Sequence, residues 1–166
     1  IHQLQVAGFV QASETKRQNV TGTPRVLITA HGVSDKERMR LKSHGKELID
    51  TTCPLVRRAH DAAMKLAAEG RHILLIGKPG HVEVQGIVED LENYDVVPTV
   101  EAVKNYSSSR IGIVCQTTMP SCLLDEIRKQ ITFLNRDLSR IRDFVNDLQC
   151  IAYPETHSHF ASSYDF

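Results

Sequence analysis

Four short segments of this chain carry side chains able to bind anions, move protons or ligate a metal: His31-Gly32-Val33-Ser34, Thr51-Thr52-Cys53-Pro54, the run from Lys78 to Gly86 with His81 and Glu83, and Cys115-Gln116-Thr117-Thr118. Two histidines beside glycine-exposed amides at helix N-termini suit an anionic group, of which phosphate or diphosphate is the usual example. Glu83, in the first turn of its helix, is placed to donate or accept a proton, provided burial favours its protonated form. By itself it reads equally well as an acid that stabilises a helix dipole. Thr117 and Thr118 offer hydroxyls to a substrate or to a helix cap. Cys53 stands before Pro54, a residue suited to the first helical position, so its thiol lies at the positive end of a helix dipole that favours a thiolate. That makes Cys53 a candidate ligand or nucleophile, against the alternative of a buried core thiol.

The remaining reactive residues read as structural. Cys115 sits inside an apolar strand and is expected in the core, and Cys122 lies on a helix with a packing role. A metal or cluster at Cys53 needs thiols from distant parts of the chain, and Cys150 is the candidate. His44, His60 and His72 fall on helix faces or at a strand start, where solvated or packing roles are expected. His157 and His159 have an i, i+2 spacing in a tail with no other site feature. The sequence has no CxxC pair.

These segments need elements to place them, and strand and helix patterns alternate. Strands are expected at 25–30, 46–50, 72–77, 94–97 and 110–115, with a weaker one at 141–145; the continuous apolar runs at 72–77 and 110–115 are of the kind buried on both faces of a parallel sheet. Helices are expected at 34–44, 54–69, 82–93, 99–105 and 121–134. The first has Ser34 as N-cap and Glu37 three residues on, which makes a capping box, and Gly45 supplies its C-terminal stop. The second has Thr52 or Cys53 as N-cap and an apolar stripe of Leu55, Ala59, Ala62, Ala63 and Leu66. This order predicts an α/β fold, an open parallel sheet flanked by helices on both faces with right-handed crossovers. In such sheets ligands gather at the carboxyl ends of the strands, which is where all four segments fall.

Composition limits the partners. At 166 residues with a formal net charge of zero, the chain has no electrostatic footprint for nucleic acid or a membrane surface. No apolar run approaches the roughly 20 residues of a membrane span. Four scattered cysteines fit a reducing, cytoplasmic setting better than a disulfide framework. The chain opens on Ile1, and residues 1–24 and 151–166 show no sustained period, so it reads as a fragment.

The runs Val26 to Ser34, Leu48 to Val56, Ile76 to Gly86 and Val114 to Thr118, in that order over roughly Arg25 to Ile131, resemble the LytB-type iron–sulfur reductases of 4-hydroxy-3-methylbut-2-enyl diphosphate. The resemblance implies three α/β modules in a trefoil-like arrangement around a central [4Fe–4S] cluster, with one cysteine ligand from each. On that pattern residues 1–53 are the C-terminal part of the first module, 54–147 the complete second, and 148–166 a stub of the third with a divergent tail. Carried over by position, Cys53 and Cys150 are cluster ligands. His31 and His81 bind diphosphate, joined by His2 from an Ile-His-Asn type motif in which Gln3 replaces the asparagine. Glu83 is the proton donor, and Thr117 hydrogen-bonds the substrate and aids the proton relay. The implied reaction is the reductive dehydroxylation that ends the non-mevalonate isoprenoid pathway, giving isopentenyl and dimethylallyl diphosphate with electrons from a donor such as ferredoxin or flavodoxin.

The chain departs from that pattern. Gly8-Phe9-Val10-Gln11-Ala12 echoes the family's first cysteine motif without a thiol, and the third module's serine and asparagine motifs are missing. At most two cluster ligands remain. The alternative is a non-catalytic α/β fragment that binds diphosphate without a cluster. A third reading, a mononuclear metal hydrolase built on His31, His81 and Glu83, leaves Cys53 idle.

Overall fold

The computed structural model of the chain describes residues 22–108, 110–134 and 149–151, the last three as backbone. The expected positions of His2, of a strand at 141–145 and of the tail histidines lie outside the described residues. Every strand pairing among the described residues is parallel. Strands β1 (Arg25–Ile28) and β2 (Glu47–Asp50) form a two-stranded sheet joined by helix α1 (Asp35–Ser43). Helix α2 (Pro54–Ala68) leads to a four-stranded sheet in the order β4-β3-β5-β6, with β3 His72–Ile76, β4 Tyr94–Val97, β5 Ile111–Cys115 and β6 Gln149–Ile151. Helix α3 (Val82–Val88) connects β3 to β4, and α4 (Ser121–Leu134) follows β5. The α/β fold with parallel sheets and flanking helices is as expected from the alternating pattern.

Alternation along β3 and β5 divides the second sheet's core into two layers. Ile73, Leu75 and Val114 face α2 and α3, meeting Ala59, Ala63, Leu66, Val84 and Ile87. Leu74, Ile76, Ile111, Ile113 and Cys115 face the other way, onto Leu124, Ile127 and Ile131 of α4. Both strands are buried on both faces, which is why they read as continuous apolar runs. The small residues of α2 let it lie close to β5. A Cβ on Gly112 would stand 3.0 Å from Leu66 Cδ1 and 3.1 Å from Ile73 Cδ1.

Local signals placed most boundaries, with physical differences in four places. Ser34 caps α1 through the Glu37 amide at 3.0 Å, but the Glu37 carboxylate turns to Arg40 at 2.7 and 2.8 Å instead of closing the capping box. In α2 the buried stripe runs through Val56, Ala59, His60, Ala62, Ala63 and Leu66, while Leu55 is 36% exposed. Helix α3 stops at Val88, five residues short of the expected end, and the expected helix at 99–105 is a single 3-10 turn at Val100–Ala102. Gln149–Ile151 pair with β5 at the edge of the second sheet.

The two sheets are tied by one carboxylate. Asp90, just beyond α3, accepts from the backbone amides of Asp35 at 2.6 Å and Lys36 at 3.1 Å, the exposed donors of the first turn of α1, and from His60 Nε2 of α2 at 2.8 Å. Burial works against its charge, but the Asp35 amide, the His60 ring and the Lys36 amide together outweigh burial and hold the Asp90 carboxyl below its ordinary range. A carboxylate held low when folded contributes stability that is complete above its unfolded value, about pH 4, and is lost as pH falls from there through the folded value. The thermal midpoint is therefore expected to drop on acidification below about pH 4, with a shallower drop in Asp90→Asn. In the core, Gly112→Val is expected to lower the unfolding free energy in urea by about 1–3 kcal/mol through overpacking against Leu66 and Ile73.

Candidate functional site

The carboxyl ends of β1, β2, β3 and β5 converge, so the four reactive segments meet. The first two are joined by the backbone, Cys53 N–H donating to Ala30 C=O at 2.9 Å. Between them Gly32 adopts φ +71°, and a Cβ there would lie 3.0 Å from Thr52 Cγ2, so a left-handed turn and a close approach both call for glycine. Arg38, only 9% exposed, locks the pair from beneath: Nε donates to Asp50 Oδ2 at 3.1 Å, Nη2 to Thr52 Oγ1 at 3.1 Å, and Nη1 to the Val33 carbonyl. Burial opposes the charge on Asp50, yet its hydrogen bonds from Thr52 and Arg38 hold this carboxyl below its ordinary range.

The third and fourth segments are joined by side chains. Glu83 is 1% exposed, and both of its oxygens are engaged: the Thr117 amide donates to Oε1 at 2.7 Å and the Thr117 hydroxyl to Oε2 at 2.9 Å. The buried Gln116 amide accepts from Lys78 N–H at 2.9 Å and donates to Thr118 Oγ1 at 2.8 Å, bridging the glycine-containing loop to the paired threonines. His81 is the N-cap of α3; its Nδ1 accepts from the Glu83 amide at 3.2 Å, leaving Nε2 as the ring nitrogen that carries hydrogen. The His31 and His81 rings meet edge to face with centroids 5.6 Å apart. A cleft lined by His31, Gly32, Thr52, Val56, His60 and Glu83 runs between the two sheets.

Cys53, and not Thr52, is the N-cap of α2, and its half-buried thiol makes no capping hydrogen bond. Its sulfur is thus uncommitted to the helix. Cys115 points into the α4 side of the core, as expected for a strand thiol. Cys122 is exposed on α4 and does not take the packing role expected of it. Neither lies on the face that holds Glu83 and Cys53. Cys150 sits in β6 opposite Ile113. Among the described side chains, Cys53 is the one thiol at the four reactive segments that is neither in the core nor exposed on α4, fewer than the thiols a cubane takes.

Among the described residues, a group with metal-like spacing is Asp35, His60 and Asp90, with ligand atoms within 4.8 Å of one another. Asp90 is filled by the two amides and His60 Nε2, and Arg38 and Arg57 flank Asp35 Oδ1, so two of the three groups are already engaged by protein donors. It is a helix clamp. His60 is accordingly a buried packing residue, and His72 bonds Asp95 at 2.8 Å. The residues that sequence reasoning missed are Arg38, Gln116 and Asp90. Gln116 lay inside a reactive segment, whereas Arg38 and Asp90 bore no signal, since each acts on partners fixed only by tertiary contact.

A family model described as LytB protein matches residues 1–155. The 4-hydroxy-3-methylbut-2-enyl diphosphate reductase of Bacillus velezensis is 37% identical over 121 residues, which cover 71% of this chain and 38% of that protein. Its counterpart from Aquifex aeolicus is 31% identical over 126 residues, covering 73% of this chain and 44% of the relative. A solved (E)-4-hydroxy-3-methyl-but-2-enyl diphosphate reductase, described as the terminal enzyme of the non-mevalonate pathway, superposes with a TM-score of 0.71 at 25% identity over 91% of this chain and 51% of that one. The Plasmodium falciparum enzyme superposes with a TM-score of 0.60 at 29% identity, over 76% and 38%. The chain thus spans less than half the length of the curated relatives it matches. With the family model covering nearly its whole length and the same fold in the solved enzymes, the chain belongs to the LytB family.

Proposed function

We propose that this site serves the reductive dehydroxylation of 4-hydroxy-3-methylbut-2-enyl diphosphate to isopentenyl and dimethylallyl diphosphate, with this chain an incomplete copy of the catalytic assembly. The observation that carries the reading is that His31 and Glu83 line one cleft, with the His81 ring against His31 and Thr117 bonded to the Glu83 carboxylate, while Cys53 follows the strand beside the His31 turn. Such an arrangement suits an allylic diphosphate. His31 and His81, joined by His2, hold the diphosphate, and Glu83 with Thr117 lies where a hydroxyl leaving group needs a proton.

In the balanced reaction, two electrons and two protons break the C–O bond, form a C–H bond and release water. The share of the described residues is binding, orientation and proton delivery. The Thr117 hydroxyl, hydrogen-bonded to Glu83, connects that carboxyl group to the substrate oxygen, and the apolar layer under Val84 and Ile87 excludes solvent from behind it. In the proposed division, residues 1–53 end a first module, 54–147 form a second and 148–166 begin a third, with a [4Fe–4S] cluster at their meeting point. Cys53 and Cys150 are two of its ligands, and the donor set is completed by thiols other than Cys115 and Cys122. The electron donor is a ferredoxin or flavodoxin, and the setting is cytoplasmic.

The thiol count favours a second reading for the chain acting alone, a diphosphate-binding α/β module that holds no cluster. Anaerobic reconstitution with iron and sulfide separates the two: a [4Fe–4S] electron paramagnetic resonance signal that disappears in Cys53→Ser supports the reductase site, and its absence from a well-folded sample supports the binding module. Both readings require the anion site. Calorimetric titration with inorganic diphosphate is expected to show binding that weakens at least about tenfold, about 1.4 kcal/mol, in His31→Ala and in His81→Ala. Gln116→Leu, which unties the Lys78 loop from Thr118, is expected to weaken it as well while lowering stability by about 1–3 kcal/mol for the bonds left unmade. Unchanged affinity in both histidine variants would overturn the proposed site.

A further inference from the structure

We propose that Asp90 is a positioning residue that sets the gap between His31 and His81, and with it the bite of the anion cradle; this rests on the diphosphate-binding reading above. The two histidines come from different sheets. His31 lies four residues before Asp35, at the start of α1, and His81 caps the start of α3. Their rings touch only edge to face, a contact too weak and too adaptable to fix a distance by itself.

Asp90 supplies the rigid link. Its Oδ2 accepts from Asp35 N–H at 2.6 Å and its Oδ1 from Lys36 N–H at 3.1 Å, so the carboxylate grips the first turn of α1 with both oxygens. His60 Nε2, at 2.8 Å, completes the set from α2, and the side chains of His60 and Asp90 are each 5% exposed. The donors Asp35 and Lys36 are themselves exposed, but the acceptor side chain is buried against His60, and hydrogen bonds to a charged acceptor are the strong ones. A second tie runs the same way, Lys36 Nζ donating to Glu89 C=O at 2.7 Å. Along the seam Gly86 of α3 lies against Val33, close enough that a Cβ would sit 3.4 Å from Val33 Cα. With α1 clamped to the end of α3 and α3 begun by His81, the segment His31-Gly32-Val33-Ser34 has little freedom to move relative to His81. Displacing α1 along α3 would open the pair of rings.

The test compares Asp90→Asn with the unchanged chain and with Asp95→Asn. Asp95 is also a carboxylate bonded to a histidine, His72 at 2.8 Å, and to Lys104 at 2.7 Å, but it lies on β4 away from the cradle. Both variants are expected to lower the thermal midpoint. Well below that midpoint, Asp90→Asn is expected to bind inorganic diphosphate about tenfold more weakly and to move the NMR ring signals of His31 and His81 in the absence of ligand, because small misplacements of paired binding groups are costly. Asp95→Asn is expected to do neither. Lys36→Met, which removes only the outer tie, shifts the same signals by less and decides the matter if Asp90→Asn does not fold. Wild-type affinity and unmoved His31 and His81 signals in folded Asp90→Asn would reduce Asp90 to a stabilising residue and overturn the proposal. If the unchanged chain itself binds no diphosphate, the functional reading fails, and the ring signals still decide the positioning role.

Discussion

Parallel strand pairing is the constraint on which this structure rests. Two parallel neighbours cannot be joined by a tight turn, so each strand must hand the chain to a helix that returns across the sheet. Every strand-to-helix junction then falls at the same edge. In this chain β1 and β2 end at that edge of the first sheet and β3 and β5 at that edge of the second, and their junctions carry His31, Cys53, the His81–Glu83 turn and Thr117. The continuous apolar strands β3 and β5 are buried on both faces and keep the edge in place. The chemistry of the site is therefore borne by loops whose ends are held by the best-packed part of the molecule.

Meeting at an edge is not yet a site, because buried polar groups must also be satisfied. Glu83 is buried at the cost of its hydration and recovers it through two donors from Thr117. Arg38 is buried beneath the Cys53 loop and recovers it through Asp50, Thr52 and Val33. Gln116 and Asp90 do the same for the Lys78 loop and for the seam between the sheets. Two reactive atoms stay out of the helix caps: His81 Nε2, because Nδ1 is used in the cap, and the Cys53 thiol, because the α2 cap does not use it. A half-satisfied version would be costlier than an apolar core, so the networks impose one arrangement on the loops.

The placement of the thiols decides how much chemistry the chain holds. Cys115 is turned by strand alternation onto the α4 face, opposite the layer that contains Val84 at the foot of Glu83, and Cys122 is carried out to solvent by α4. The His31–His81 pair and the Glu83–Thr117 pair are brought together, whereas Cys115 and Cys122 are turned away to the core and to solvent. The chain spans less than half the length of its curated relatives.

The parallel α/β class, nearly all element boundaries and the four reactive segments were legible in the sequence because they depend on local rules: apolar period, capping residues, glycine stops, and the position of polar residues just after apolar runs. Where local rules competed with packing they misled. Leu55 fits the helical stripe as well as Val56 does, but Val56 is the one that faces the His31 turn, and Glu37 prefers the nearby guanidinium of Arg40 to its own cap. The roles of Arg38, Gln116 and Asp90 were decided by tertiary structure alone. Asp90 and Lys36 are 54 positions apart, Gln116 and Lys78 are 38 apart, and no periodicity links residues so distant. Their hydrogen bonds exist only once the sheets have packed and removed water as a competing partner, which is why the sequence determines which side chains reach the strand ends and folding determines the distances between them.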